Sequence, residues 1–253
     1  MALLARAFTF AATLLAAGAL QAAQVRVAVA ASMAAPMQRL ALDFERATGH
    51  EVVPSMGSTG RFYAQLRGGA PFDMLLAAAD DIPERLEREG LAAPGGRFTY
   101  AIGRLVLWSL DPHRVDPHGD ILKKPPHGRL AIADPRLAPY GEAAVQTLAR
   151  LKVLPAWQPS LVHGESVGQV FQYVATGNAS LGFVALSQVM SEGRIVRGSG
   201  WIVPLDYHLP LKQEAVLLNG GRNNPAALAL MDYLKSEPAR AILRGYGYEF
   251  DRH

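Results

Sequence analysis

The sequence predicts an α/β fold made of two doubly wound lobes. Three observations lead to this prediction. Short apolar runs typical of buried strands alternate with segments of helical periodicity from residue 25 to residue 90. The same alternation resumes at residue 104. Half of the residues are hydrophobic and 19% are charged, as expected for a chain that folds around a large core.

The first part of the chain alternates strands and helices in regular order. Strands are predicted at 25–30, 50–56 and 74–78, and helices at 32–48, 61–67 and 81–89. Ser32 directly follows the first strand, and its short side chain is predicted to cap the first helix. Gly49, Gly68 and Gly90 stand where the three helices should end. This order predicts a parallel sheet covered by helices.

The second part repeats the pattern after a break at residues 91–103, which contain Pro94, Gly95 and Gly96. Strands are predicted at 104–109, 130–133, 161–163 and 181–185, a loop at 111–128, and helices at 142–151 and up to about Thr176. A strand at 214–218 and helices at 225–235 and 239–245 follow. The order predicts a second lobe (105–206) inserted into the first (24–104 and 207–253). The cleft between them should close about two crossovers.

Residues 1–23 are predicted to be a signal peptide. Arg6 lies in a short basic start, the apolar run at 7–20 is too short to span a membrane, and cleavage is expected after Ala22 or Ala23. The chain has no cysteine, which excludes disulfides, thiolate metal sites and the cysteine that a lipid anchor requires. A periplasmic location is expected. The formal net charge is +3 without a long basic tract, so nucleic acid is not an expected partner.

Four predicted junctions between a strand and a helix carry small or hydroxyl residues. They are Ala31-Ser32, Ser58-Thr59-Gly60, Pro139-Tyr140-Gly141 and Ser166-Val167-Gly168. Each can present free backbone N–H groups to an anion, although ordinary helix capping explains any one of them alone. Arg61, expected to face solvent, and Glu165 are the charged residues at or beside these turns. Neutral donors favour a deprotonated tetrahedral dianion of the molybdate, tungstate or sulfate type.

An enzymatic alternative rests on residues 164–168, which match the G-x-S-x-G nucleophile elbow of hydrolases. Ser166 would be the nucleophile, with Asp206 and His208 or His253 completing a triad. No oxyanion-hole motif precedes it, and Asp206 and His208 are only two residues apart, so a helix cap or ligand donor is favoured. The three histidines of the 111–128 loop lack the spacing of a metal site, and Asp80 and Asp81 are interpreted as helix capping.

Motifs of moderate specificity follow one another along the whole predicted mature chain. They are VAVAAS at 27–32, GSTG at 57–60, GAPFD at 69–73, AAD at 78–80, APYG at 138–141, ESVG at 165–168 and LGFVAL at 181–186. Together they resemble the molybdate-binding proteins of bacterial ABC importers, the ModA family. The resemblance implies the type II periplasmic binding protein fold, with two lobes joined by a two-stranded hinge. It also implies molybdate or tungstate binding without enzyme activity or cofactor, and docking on an ABC permease by a monomer.

The resemblance also implies roles for single residues. Ser32 and Thr59, with its neighbour Ser58, match the family's ligand hydroxyls, whereas Tyr140 and Val167 match backbone N–H donors. A ligand-contacting tyrosine found in one branch of the family is replaced here by Ala185, and the Tyr140 hydroxyl is a candidate substitute. The same fold with sulfate, phosphate or an organic acid as ligand remains an alternative.

Overall fold

The computed structural model describes residues 22–250, so most of the predicted signal peptide, and His253, lie outside the described residues. The strands in chain order are β1 Gln24–Ala30, β2 Glu51–Gly57, β3 Met74–Ala77, β4 Ala92–Gly103, β5 Leu105–Ser109, β6 Leu130–Ala133, β7 Leu161–Gly164, β8 Leu181–Ala185, β9 Met190–Ser191, β10 Arg194–Ile195, β11 Ser199–Ile202 and β12 Leu211–Leu218. The helices are α1 Ala34–Thr48, α2 Thr59–Arg67, α3 Asp81–Arg88, α4 Pro139–Arg150, α5 Leu154–Trp157, α6 Val167–Ala175, α7 Pro225–Tyr233 and α8 Glu237–Gly245.

The strands form two five-stranded sheets with the orders β2-β1-β3-β12-β4 and β11-β5-β8-β6-β7, and β9 pairs with β10 in a separate hairpin. In the first sheet β1 runs parallel to β2 and β3, but β12 is antiparallel to both of its neighbours. In the second, β6 is parallel to β7 and β8, and β5 is antiparallel to β8 and β11. The α/β prediction is confirmed, but each sheet is mixed because the chain crosses between the sheets and returns.

The predicted break at 91–103 is wrong, because β4 spans Ala92–Gly103 as a long strand. Among the described strands β4 pairs only with β12, which places it at an edge of its sheet, and the pairing contains two register shifts. Edge position and bulges allow Pro94 and the two following glycines within a strand. Two further starts also differ, since β12 begins at Leu211 rather than 214 and α4 begins at Pro139 rather than 142.

Two connections link the sheets. The first is the single residue Arg104 between β4 and β5, and the second is the segment between Ile202 and Leu211. The Arg104 guanidinium donates to the carbonyl of Val203 at 3.2 Å and pairs with Glu249 near the end of the described chain. The two crossovers are therefore tied to each other, and the strands divide between the sheets as the predicted lobes do.

Two core clusters cover the two faces of the first sheet, and a third encloses the second sheet. Met37, Leu40 and Phe44 of α1 are fully buried on one face of the first sheet, at the helical spacing that predicted them. In the second, Trp108 and Trp157 are among the largest buried side chains, and the Trp157 indole N–H donates to the Leu122 carbonyl at 2.8 Å. Both tryptophans therefore serve the packing of the core around the second sheet. Within residues 22–250 no helix combines the length and apolarity that crossing a membrane requires.

Candidate functional site

The four predicted junctions meet around one small cavity between the two sheets. Its volume is about 10 Å³, against about 320 Å³ for the neighbouring cleft. The five predicted ligand residues all line it, although their role as ligands stays a prediction. The complete lining is Ala30, Ala31, Ser32, Gly57, Ser58, Thr59, Ala78, Ala138, Pro139, Tyr140, Ser166 and Val167. None of these side chains carries a charge, so the cavity offers an anion only dipoles and neutral hydrogen-bond donors.

Ser32 does not cap the first helix, contrary to the prediction. A 3₁₀ turn at Ala31–Met33 separates β1 from α1, and Ser32 lies inside it with 1% of its surface exposed. Its hydroxyl donates to the Gln213 side-chain oxygen at 3.4 Å, which is long for such a bond. The Ser32 hydroxyl is therefore held only by a long hydrogen bond.

Contacts from distant parts of the chain fix the backbone at Ser32. Its carbonyl accepts hydrogen bonds from the Ser187 hydroxyl at 2.6 Å and from the Tyr248 hydroxyl at 3.2 Å. Ser187, Gln213 and Tyr248 could not be found from the sequence. They are more than 150 residues from Ser32, and no local pattern marks them. Ser187 and Tyr248 thus fix the 3₁₀ turn through the backbone carbonyl of Ser32.

Ser58 and Thr59 contribute hydroxyls at the start of α2. Ser58 is the extended residue before the helix, yet its hydroxyl does not bond the first helical turn. The Ser58 Oγ atom is buried and has no hydrogen-bond partner within residues 22–250. The Thr59 Oγ1 atom accepts from the Ala78 backbone N–H at 3.1 Å, which leaves its own proton free to donate. Leaving a buried hydroxyl without a hydrogen bond costs about 1–3 kcal/mol. A ligand that accepted a hydrogen bond from Ser58 would remove this cost.

Tyr140 and Val167 stand in the first turns of α4 and α6, where backbone N–H groups have no carbonyl four residues earlier in the helix. Gly141 allows this position for α4, because a Cβ atom there would lie 2.2 Å from the Ala133 carbonyl oxygen. The start of α4 therefore packs directly on the end of β6. Tyr140 and Val167 line the cavity from the side of the second sheet.

The Tyr140 hydroxyl lies at the first crossover. A Cβ atom on Gly103 would lie 2.2 Å from it, and the hydroxyl oxygen is buried without a hydrogen-bond partner in the described part of the chain. Burial raises the pKa of the Tyr140 phenol well above its ordinary value, so it stays a neutral donor.

Several helices begin without a capping side chain. Within residues 22–250, α1, α2 and α4 begin without a capping side-chain bond, and so do α3 and α5, whereas Asn224 caps α7 and Ser236 caps α8. Asp80 stands before α3, but its side chain does not form the predicted cap bond. At α6 the Ser166 hydroxyl accepts from the Gln169 N–H at 3.3 Å, which leaves the N–H of Val167 uncovered. The helix ends at the cavity thus keep donors that an anion can use.

Charged groups surround the cavity without entering it. The neighbouring cleft is lined by Asp80, Asp81 and Glu142, whose carboxylates disfavour an anion there. Lys212 donates to Asp80 at 2.8 Å, and this hydrogen bond is the main reason that the pKa of Asp80 is lowered. The larger cleft is therefore the poorer anion site of the two.

The proposed hydrolase triad is not assembled among the described residues. Ser166 is used as a helix cap, Asp206 pairs weakly with Arg150 at 3.9 Å, and the Nδ1 atom of His208 bonds the Leu209 carbonyl at 2.7 Å. The remaining nitrogen of His208 is buried without a partner in that part of the chain. Residues 22–250 also contain no group of three side chains arranged to hold a metal ion.

Comparison with known proteins gives consistent matches. A model of the family "Bacterial extracellular solute-binding protein" matches residues 25–249. The molybdate-binding protein ModA of Azotobacter vinelandii is 54% identical over 228 residues, covering 90% of both chains, and that of Rhodobacter capsulatus is 46% identical, covering 90% of this chain and 88% of the relative. The solved structure of an Azotobacter vinelandii periplasmic molybdate-binding protein superimposes with a TM-score of 0.86 at 40% identity, covering 90% of this chain and all of that one.

Proposed function

Because the chain belongs to the bacterial extracellular solute-binding proteins, and among them to the ModA family, we propose that it captures molybdate or tungstate for an ABC importer. It is a transport protein rather than an enzyme, and it works without a cofactor. Its partners are the oxyanion and the membrane subunits of the permease.

One observation carries the choice of ligand, namely the buried Ser58 hydroxyl without a partner in a cavity of neutral donors. The hydroxyls of Ser32, Ser58 and Thr59 and the backbone N–H groups of Tyr140 and Val167 supply donors from both lobes. A fully deprotonated tetrahedral dianion accepts at every oxygen and needs no acceptor from the protein. An anion that keeps a proton, such as hydrogen phosphate, must donate that proton, whereas the proposed ligand groups are themselves hydrogen-bond donors.

Binding proceeds by closure of the lobes about the two crossovers. The first lobe presents its hydroxyls at Ser32 and Ser58, and the second adds the helix ends at Tyr140 and Val167. Closing removes water from the anion, which strengthens each donor interaction in the lower dielectric. The closed arrangement is the form that the permease recognises. Release then requires that the lobes separate.

The protein acts in the periplasm as a monomer, freed by cleavage of the signal peptide after Ala22 or Ala23. The cysteine that a lipid anchor needs is absent from the sequence. The lobes comprise residues 24–104 with 207–253, and residues 105–206. The division of strands between the two sheets supports these bounds.

A thermal-shift panel of molybdate, tungstate, sulfate and phosphate tests the proposed ligand. Molybdate and tungstate should raise the unfolding midpoint by several degrees, since ligand at about 100 times Kd stabilises by about 2.7 kcal/mol. Sulfate and phosphate at equal concentration should produce a smaller shift. An equal or larger shift with sulfate would contradict the ligand assignment, and no shift with any of the four would contradict the function.

A further inference from the structure

The geometry points to a role for Arg61 and Glu165 that the proposed ligand set does not include. We infer that Arg61 neutralises Glu165 beside the anion and latches the two lobes together, acting through Glu165 rather than on the ligand. This inference rests on the proposed function, because it concerns the affinity of the same cavity. Arg61 is thus a positioning residue.

The two side chains form an ion pair across the cleft. Arg61 belongs to the first turn of α2 in the first lobe, and Glu165 belongs to the loop between β7 and α6 in the second. The Nη1 atom of Arg61 contacts the Oε2 atom of Glu165. The pair is solvent-exposed, with 54% of the Arg61 side chain and 62% of the Glu165 side chain accessible. It therefore lies at the rim of the cleft rather than inside the cavity.

A backbone contact lies beside this pair. The Gly60 N–H donates to the Leu137 carbonyl at 3.0 Å, which joins the start of α2 to the turn before α4. A Cβ atom on Gly60 would lie 3.0 Å from the same carbonyl oxygen, so the segments are in close contact. Both contacts exist only while the lobes are together. The segment Gly60-Arg61 therefore acts as a latch on the closed form.

Sequence position places the ion pair next to the ligand donors. Ser58 and Thr59 precede the latch segment directly, and Val167 follows Glu165 by two residues. Glu165 directly precedes the junction at Ser166, and its backbone N–H donates to the Gln169 side chain at 2.7 Å, which fixes the loop. An unpaired carboxylate at this position would repel a bound dianion. Pairing with Arg61 cancels most of that repulsion.

The two functions of the pair make different predictions for its two members. Glu165→Gln removes the latch but also removes the negative charge, so molybdate affinity should fall only about twofold to fivefold, the range of an exposed ion pair. Arg61→Gln removes the latch and leaves Glu165 unpaired, so affinity should fall about tenfold or more. The double variant Arg61→Gln/Glu165→Gln should bind more tightly than Arg61→Gln alone.

Isothermal titration of molybdate into the full mature protein at low and high salt measures these differences. The penalty of Arg61→Gln should shrink at high salt, because exposed charges are screened. Arg244→Gln is the matched control. It removes a comparable exposed ion pair, with Glu237, within one lobe and should leave affinity unchanged.

Three outcomes would overturn the inference. Affinity of Arg61→Gln within a factor of about two of wild type would show that the pair has no role. A double variant as weak as Arg61→Gln would show that Arg61 contacts the ligand directly. A larger loss with Glu165→Gln than with Arg61→Gln would contradict the charge argument. Failure of the wild-type protein to bind any of the four oxyanions would instead contradict the proposed function, so the two failures are distinguishable.

Discussion

Ser58 is the residue whose local hydrogen bonding most directly supports the proposed function. Its hydroxyl is buried and unpartnered in the described chain, although the residue stands at a helix start where a serine hydroxyl normally caps. The missing cap bond is explained if the hydroxyl serves a ligand. Ser166 shows the contrast, because the same residue type at α6 does form the cap bond.

Replacing Ser58 by alanine should therefore weaken binding without weakening the fold. We expect molybdate affinity to fall about tenfold or more, the value of a hydrogen bond to a charged group. The unfolding midpoint of the ligand-free protein should not fall, because the hydroxyl has no partner to lose within residues 22–250. Calorimetric titration and thermal unfolding measure the two quantities. Ser55→Ala, at an exposed position of β2, is the control, and equal affinities of the two variants would exclude Ser58 from the site.

His208 sets a pH dependence of stability. Burial lowers the pKa of His208 below its ordinary value near 6.5, so the folded state resists a proton that the unfolded chain takes up. The contribution of His208 to the free energy of unfolding is fully present above pH 6.5 and is lost as the pH falls below that value. The free energy of unfolding of His208→Gln should therefore decrease less between pH 7 and pH 5 than that of wild type. Parallel pH profiles of the two proteins in urea unfolding would disprove this assignment.

The residues that line the cavity could be predicted from sequence because they lie in local patterns. Ser32, Ser58 and Val167 each lie between a predicted strand and the helix that follows it. Two of the four predicted turns belong to each lobe. The cap assigned to Ser32 was wrong because a 3₁₀ turn comes between strand and helix. Gln213 and Tyr248, which hold this turn, could not be found, because their contacts depend on the tertiary fold.

At the scale of elements, the site is built from helix starts. Helices α2, α4 and α6 and the 3₁₀ turn at Ala31–Met33 reach the cavity from strand ends of both sheets, and α2 and α4 lack a capping side-chain bond in the described chain. Unsatisfied N–H groups at a helix start favour an anion. Among the helices that do not line the cavity, α7 and α8 are capped, whereas α3 and α5 are not.

The start of α2 gives a test of closure. Gly60→Ala places a Cβ atom 3.0 Å from the Leu137 carbonyl oxygen, so the closed lobes must shift apart. We expect molybdate affinity to fall about tenfold, given that overpacking costs about 1–3 kcal/mol. Alanine favours the helix over glycine, so the ligand-free protein should be no less stable.

Gly245→Ala in α8, where a Cβ atom meets nothing within 4 Å, is the matched control for titration and unfolding. Wild-type affinity in Gly60→Ala would mean that this contact does not limit closure.

Elements with strong periodicity were predicted well, and those set by pairing were not. The fully buried face of α1 at Met37, Leu40 and Phe44 was visible in its spacing. Strand β4 was missed because Pro94 and its glycines are unfavourable inside a strand, and only its edge position and the bulges opposite β12 make them acceptable. Antiparallel pairing of β12 likewise depends on the return of the chain from the second sheet.

In the whole molecule, two sheets are linked by two crossovers and enclose one small cavity between them. The order of predicted elements was sufficient to infer an inserted second lobe, because the alternation stops and resumes. The closeness of the lobes was not predictable, since it depends on contacts such as Ser187 with Ser32 and Gly60 with Leu137. The small neutral cavity exists only through these contacts.

A crystal structure of the protein with bound molybdate would show where the anion lies, because anomalous scattering locates its metal atom. We expect one anion in the cavity, bonded by hydroxyls of Ser32 and Ser58 and by N–H groups at Tyr140 and Val167 at about 2.7–3.1 Å, with Arg61 still paired with Glu165. Molybdate seated against Arg61 or Lys212, or in the acidic cleft outside the cavity, would contradict this expectation.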